Sequence, residues 1–453
     1  MCNISLGKNI YSSKILLDLY SDSIPFNSFK EDIKEQSDKK SFPLEKRKVL
    51  HELIFDQYKN TGIDVPVIHK YLLDDNCYTI TTGHQLCLFG GPQYFIHKII
   101  SIIKLAELLK DQYPDMHIIP VFWMASEDHD FKEISNVSVF NKVISVNGEN
   151  LGPVGRIKTE VFKPALVELI EMFKNDNRGN YLIEIFKEAF KREYWSDCTR
   201  YWVSMLFDDY DLLIIDADDL KLKSIFSPLM AKEVDDQFSY KSVLQGNKEL
   251  IKSGYDIQVN PREINLFYID KGLRERIILE NNKFNIGANS YSKNELLSKL
   301  DDNPENFSPN VLLRPLYQET ILPNLVYVGG PAEISYWSQL QITFNVADIT
   351  FPKLLLRESF GWIKKLDIDW WNEQKFMIKD LFEDFDALVK RIHFNDDNAI
   401  LPIDENLKLV NNSILDKIMN IDPSLEGMLN SELTKFKKGL IKIKSRLIAN
   451  SKK

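Results

Sequence analysis

The sequence has no run of about 18 uninterrupted apolar residues, the length a helix needs to cross a bilayer, so no membrane partner is expected. Cysteine is scarce. Cys2, Cys77, Cys87 and Cys198 are the only four, and none forms a Cys-x-x-Cys pair, which excludes a zinc or disulfide framework by pattern. A basic excess is missing too: 57 Lys+Arg against 66 Asp+Glu give a formal net charge of −9. A general nucleic-acid binder would carry the opposite balance, so no nucleic-acid partner is expected. The opening MCNISLGKNIYSSKILLDLY lacks a basic stretch followed by an apolar core, so it does not read as a signal peptide and a cytoplasmic protein is expected. What remains is ordinary globular material, 453 residues that are 44% hydrophobic and 27% charged. A chain of that size suggests about three domains and can bury about three quarters of its unfolded surface.

The order of local signals predicts a mixed α/β fold. The first seventy residues read as helical, with apolar residues near helical spacing from Pro43 to Tyr58. Cys77–Gly83 reads as a strand rich in β-branched residues, then comes a loop, and a largely apolar helix from Pro92 to Asp111. A second strand at His117–Ala125 completes a strand–helix–strand unit, the building block of a parallel sheet. Further strands are expected at Leu212–Asp216 and Leu325–Gly329, with helices around Thr159–Lys174, Tyr181–Lys191 and Leu220–Asp236. Residues 254–300 break the pattern with short strand-like runs and read as an insertion. From 366 onward helices dominate. There Leu429, Leu433, Phe436, Leu440, Ile443 and Leu447 form a heptad seam, which is also compatible with an ordinary amphipathic helix. The organisation expected is therefore a helical segment over 1–70, an α/β core over 71–365 and a helical region over 366–453.

Polar chemistry collects at the strand ends. Four of the seven histidines, His84, His97, His117 and His129, fall inside the strand–helix–strand unit. In an open parallel sheet, ligands bind beyond the carboxyl ends of the strands. Gly83-His84-Gln85 follows the first strand and Glu127-Asp128-His129-Asp130 the second. The latter offers three carboxylates and an imidazole for binding an amine, taking its proton, or holding Mg²⁺, although alternation along extended chain keeps all four from meeting at one point. A polar turn with a helix cap would use the same residues. Gly90-Gly91-Pro92 precedes a helix, and Gly329-Gly330-Pro331 repeats the device after a later strand. Such exits bring backbone N–H groups toward an anion, or serve conformation alone. On the first of these helices Gln93, His97, Ser101 and Lys104 form one polar stripe, either a solvent face or a phosphate-facing one. Arg314 and Arg357 could add bidentate contacts to carboxylate or phosphate.

Thr82-Gly-His-Gln85, Gly91-Pro92 with His97-Lys98, Phe122-Trp123 with Glu127-Asp-His-Asp130, Leu313-Arg-Pro315 and Tyr327-Val-Gly-Gly-Pro-Ala-Glu333 together resemble the BshC family, the cysteine ligases of bacillithiol biosynthesis. The resemblance runs from about residue 10 to the C-terminus. It implies a Rossmann-like parallel-sheet core related to class I aminoacyl-tRNA synthetases and pantothenate synthetase, with connecting-peptide insertions and a C-terminal coiled-coil arm that makes a homodimer. It also implies an ATP-dependent ligase, with Mg²⁺, joining the carboxylate of cysteine to the amine of glucosaminyl-malate. By position, His97 and Lys98 would cover the ATP phosphates, and Gly83, Gln85, Gly91 and Pro92 would form the nucleotide-facing loop. Glu127, Asp128, His129 and Asp130 would face the acceptor or aminoacyl end. Gly329, Gly330, Pro331 and Glu333 would complete the cleft, with Arg314, Gln318, Tyr336 and Arg357 beside them. His84 stands where the family more often has glutamine. Family members continue further, so Ser431–Lys453, with eight Lys or Arg against one acidic residue, is expected to be the first arm of a coiled coil lacking its return helix. Two other readings use the same residues: a metal-dependent hydrolase with His84, His97, His129 and Asp130 as ligands, and a non-catalytic nucleotide-binding scaffold.

Overall fold

The computed structural model describes residues 14–20, 30–148, 151–174, 176–373, 376–384, 388 and 403–451. These divide into two compact units, one ending at Gly361 and the other starting at Trp362.

The first unit is built on five parallel strands: β1 (Cys77–His84), β2 (His117–Met124), β3 (Leu213–Asp216), β4 (Asn324–Gly329) and β5 (Lys353–Leu356). Their spatial order is β5-β4-β1-β2-β3. Every neighbouring pair is parallel, with Thr81 opposite Val121 on one side and opposite Tyr327 on the other. The three central strands are buried almost throughout, which is why β2 and β4 read as near-continuous apolar runs and β1 as a β-branched one with buried threonines. The four expected strands form within about a residue of their expected ends. β5 is the exception. Its run Lys-Leu-Leu-Leu is short and has no β-branched residue, so nothing local marks it; pairing with β4 makes it a strand.

The chain moves from β1 outward through β2 to β3, then returns to the other side of β1 for β4 and β5. The strand order therefore reverses between β1 and β4, and the crevice beyond their carboxyl ends is the switch point where such sheets bind ligands.

Helices cover the sheet. α1 (Leu44–Thr61) buries Arg47, Leu50, Leu53, Ile54, Tyr58 and Thr61, a helical repeat, and stops at Gly62 in the left-handed conformation. α2 (Tyr94–Gln112) connects β1 to β2; Gln93 rather than Pro92 occupies its cap position. α3 (Leu220–Asp236) begins at Asp219, whose side chain accepts a hydrogen bond from the Lys221 amide, and has the bounds expected from sequence. An unanticipated hairpin, Asn136–Val139 with Lys142–Ser145, turns through Phe140 and Asn141 at φ of 48° and 65°. It lacks the Asn-Gly pair that would have marked it in sequence.

Between α3 and β4 lies the expected insertion, which forms two small antiparallel sheets of its own. Leu266–Asp270 pairs with Leu273–Arg276 and Phe307–Pro309, and Lys283–Ile286 pairs with Ile278–Glu280 and Asn289–Tyr291. Two short helices, α4 (Arg314–Ile321) and α5 (Pro331–Trp337), flank β4.

The second unit contains a helix at Lys365–Glu373 and a packed pair, α6 (Ile403–Ile421) and α7 (Glu426–Ser451). The join is tight: Asp422 caps it, accepting from the Ser424 amide, with Pro423 behind as its sequence suggests. Ser431–Ser451 lies in α7, the second arm of this hairpin, which packs against the preceding α6. The heptad residues divide: Leu429, Leu433 and Leu440 are half-buried, whereas Phe436 and Ile443 stay exposed.

Candidate active site

The carboxyl ends of β1, β2, β4 and β5, together with the insertion, enclose one cavity of about 790 Å³. It lies at the switch point identified from the strand order.

Its β4 side is cationic. Lys98, in the second turn of α2, is buried and donates from Nζ to the carbonyl of Gly83 at 2.8 Å. It also pairs with Glu333 Oε2 at 2.5 Å. Glu333 accepts from the Tyr327 hydroxyl at 2.9 Å and from the Gly330 amide at 2.7 Å, the latter closing a cap at the start of α5. Burial pushes the Glu333 carboxyl up, but Lys98 and these donors outweigh it and hold it below its ordinary range. Arg314 opens α4 among three rings, its guanidinium 5.9 Å from Trp123, 5.5 Å from Tyr327 and 5.7 Å from Trp337. It donates to Gln318 Oε1 at 3.0 Å and to the Tyr336 hydroxyl at 3.4 Å. Burial opposes its charge, but Tyr336, Tyr327 and Glu333 outweigh burial and keep it protonated. Arg357, just past β5, donates through Nη1 to the Glu358 carbonyl and Ser359 Oγ, while its buried Nε has no partner.

The β2 side is carboxylate-rich and tightly wired. Asp128 accepts from Gln85 Nε2 through one oxygen, and from the His129 amide at 2.6 Å through the other. Burial would raise its carboxyl; the bonds from His129 and Gln85 and the charge of Arg274 more than reverse this, leaving it well below the usual range. Arg274 Nη1 lies 3.2 Å from His129 Nδ1. Glu127 is anchored from below by Lys223, a fully buried lysine of α3 whose Nζ is 2.8 Å from Glu127 and 2.9 Å from Asp218. Arg156 clamps Asp218 with two bonds of 2.6 and 2.8 Å. Beside them Asp216 is pushed up by burial, then by the charge of Asp218, and accepts from Ser126 Oγ. Glu133, at the cavity wall, is raised by burial and by Asp128 and Asp130.

Of the residues singled out in sequence, Gly83, Gln85, Lys98, Glu127, Asp128, His129, Arg314, Gly330, Pro331, Glu333, Tyr336 and Arg357 line this cavity. His97, Asp130, Gly91, Pro92, Gln318 and Gly329 do not. His97 lies edge-on to Phe360 at 5.0 Å, and Ser101 Oγ accepts from the Glu358 amide at 3.1 Å. Half of the polar stripe on α2 is thus covered by the chain after β5; Gln93 and Lys104 stay exposed and match the solvent-face reading. Asp130 caps the short helix Phe131–Ile134, accepting from the Glu133 amide, which is the polar-turn reading of that residue. Gly91 serves conformation: its φ is +46°, and a Cβ there would stand 2.3 Å from Cys87 Cβ. Only the second Gly-Gly-Pro reaches the cavity. Gln318 is fully buried and holds Arg314 from behind.

His84 and His129 line the cavity but His97 and Asp130 do not, so the four residues of the hydrolase reading are not gathered. Among the described residues no group of three or more His, Cys, Asp or Glu is placed to hold a metal ion. Sequence reasoning missed Lys223, Glu133 and the insertion's Arg262, Arg274 and Arg276. Only Arg274-Glu275-Arg276 carried a local signal, since residues two apart on a strand share a face.

The description "Bacillithiol biosynthesis BshC, N-terminal Rossmann-like domain" fits residues 7–358. Relatives named "Putative cysteine ligase BshC" align over nearly the whole chain. The protein of Flavobacterium johnsoniae is 38% identical across 99% of this chain and 88% of its own length. That of Flavobacterium psychrophilum is likewise 38% identical with the same coverage. That of Christiangramia forsetii is 34% identical, covering 99% and 87%. No described helix is long and apolar enough to cross a membrane. A parallel sheet with its ligand crevice at the switch point, the strand-exit residues gathered there and relatives matching across 99% of the chain make it a member of the BshC family, a ligase of bacillithiol biosynthesis.

Proposed function

We propose that this protein uses ATP to join the carboxylate of cysteine to the amine of glucosaminyl-malate. The observation that carries the reading is a single cavity with a cationic β4 side, Lys98, Arg314 and Arg357, facing a carboxylate-bearing β2 side. With ATP, a carboxylate oxygen attacks a phosphorus and forms a mixed anhydride as a phosphoanhydride P–O bond breaks, releasing ADP or pyrophosphate according to which phosphorus is attacked. The amine nitrogen then attacks the acyl carbon, the C–N bond forms as the C–O bond to phosphate breaks, and the nitrogen gives up a proton. The cationic side suits charge developing on phosphate oxygens. Its donors have capacity left: Lys98 has three N–H bonds, two of them committed, and Arg357 Nε is buried and unpartnered. A polyphosphate therefore fits. Mg²⁺ arriving with it would draw most ligands from phosphate and water, as is usual for that ion.

On the β2 side the two roles separate. Asp128, held below its ordinary range, suits binding the substrate ammonium rather than taking its proton. Glu133, raised by burial and neighbouring carboxylates, suits the base. The exposed Phe436 and Ile443 of α7 suit packing against a second copy, and an ATP-consuming step suits a cytoplasmic location. The test is mass spectrometry of the products from cysteine, ATP and glucosaminyl-malate, with thiol analysis of a strain lacking the gene. The amide is expected with wild-type protein and strongly reduced by Lys98→Ala and Glu133→Gln. Normal bacillithiol in the deletion strain would refute the assignment.

A further inference from the structure

A second cationic wall faces the cavity from the insertion, and the reading above gives it no task. Arg274 and Arg276 stand two apart on Leu273–Arg276, and their guanidiniums lie 3.9 and 5.5 Å from the ring of Phe267. Phe267 is directly opposite Arg276 in the antiparallel register. Arg274 is fully engaged: it donates to Ser308 Oγ at 3.0 Å and to the Pro309 carbonyl at 2.9 Å, and it lies 3.2 Å from His129 Nδ1. Arg276 and Arg262 also line the cavity, yet among the described residues neither guanidinium has a hydrogen-bond or ion-pair partner. Two guanidiniums on one ring repel; Glu127 and Asp128 offset Arg274, and an anion beside Arg276 and Arg262 would lower the cost that remains.

This wall is distinct from the one around Lys98 and Arg357. Arg274 reaches His129 beyond β2, whereas Arg357 follows β5, and β5-β4-β1-β2 places three inter-strand steps between them. At about 4.8 Å per step that is roughly 14 Å. Gln85, which follows the intervening β1, and Asp128 and Glu133, the groups suited to an amine, line the same cavity.

We propose that Arg276 and Arg262, with Arg274 and Phe267 as their support, form a second anion subsite that takes the carboxylate-bearing end of the amine substrate. The identity of that substrate rests on the ligase reading; the unpaired planar forks themselves match carboxylates bidentately. The nucleotide phosphates then occupy one pole, the dicarboxylate the other, and the amine is held between them.

The test is calorimetric titration of the full chain with L-malate and, separately, with ATP. Arg262 and Arg276 are exposed, so Arg262→Ala and Arg276→Ala are expected to leave the circular dichroism spectrum unchanged. Each should weaken malate binding about tenfold or more, the worth of a charged hydrogen-bonded pair. Arg276→Lys should fall between wild type and Arg276→Ala, since it keeps charge but loses the fork. ATP affinity should stay within about twofold in all three, because the poles are far apart. Failure of wild-type protein to bind malate, unchanged malate binding in both alanine variants, or loss of ATP rather than malate would each overturn the subsite. Malate binding through these arginines without amide formation from cysteine, ATP and glucosaminyl-malate would instead sink the ligase reading and leave the subsite standing.

Discussion

Lys223→Met isolates the buried charge network beneath the cavity. The substitution keeps most of the aliphatic stem and removes the ammonium that pairs with Glu127 at 2.8 Å and Asp218 at 2.9 Å. The lysine side chain is 0% exposed, and those of Glu127 and Asp218 are 12% and 5% exposed, so water cannot replace the lost cation. Asp218 retains the two-bond clamp of Arg156. Glu127 loses its ion-pair partner and keeps only the longer-range charges of Arg274 and Arg156, and the Glu305 carbonyl loses the donor it had at 3.0 Å. Removing one member of a buried ion pair typically costs about 3–5 kcal/mol, a large share of the roughly 5–15 kcal/mol that holds a domain together. Equilibrium urea unfolding followed by circular dichroism reads the loss. Lys223→Met/Glu127→Gln should recover a substantial part of it, since removing both charges of a buried pair costs far less than removing one. A single-variant loss below about 1 kcal/mol, or no recovery in the double variant, would refute the idea that Lys223 is held in place to neutralise these carboxylates.

Three further outcomes are expected. His84 is buried and, with Lys98 nearby, its pKa is pulled from the ordinary 6.5 down to about 4. The unfolded chain therefore binds this proton first. The stabilising contribution is complete above about pH 6.5 and is lost as the pH falls toward 4, by about 3 kcal/mol, so His84→Gln should flatten the unfolding free energy over that window. Gly91→Ala should cost about 2–4 kcal/mol by denaturant titration, because φ is +46° and the new Cβ meets Cys87, whereas Gly330→Ala, at an extended φ of −76°, should cost less than about 1. Burial pushes the Cys77 and Cys87 thiols up to about 12 and raises Cys198 as well. All three should resist a thiol reagent at pH 8 in the folded protein and react only on unfolding; rapid labelling of any of them would contradict their burial.

Much of the site was legible because strand exits carry their own markers. Gly83-His84-Gln85 follows a β-branched run and Glu127-Asp128-His129 an apolar one, both read as strands, and a parallel sheet brings such exits to one edge. The misreadings were of side-chain direction. His97 and Lys98 are adjacent, yet a helix turns successive residues by about 100°, so one faces the segment after β5 and the other the cavity. Gly90-Gly91-Pro92 and Gly329-Gly330-Pro331 look alike, but the first has Gly91 at positive φ ahead of its helix while the second caps α5 through Glu333. At the other end of the chain, a heptad seam identified α7, but its neighbour α6 emerged only once both helices were packed.

The sequence by itself determined the parallel α/β core, the bounds of α3, the insertion before β4 and the strand-exit residues of the cavity. These follow from local periodicity and from Gly, Pro and Asp signals that act over a few residues. Only the tertiary structure decided that β5 is a strand, since its hydrogen bonds come from β4. It alone brought Lys223 beneath Glu127, across nearly a hundred positions, and carried Arg274 from the insertion to His129. Charges so distant in sequence meet because the sheet and the insertion fold around one crevice. Their pairing energy depends on burial, which exists only in the folded chain.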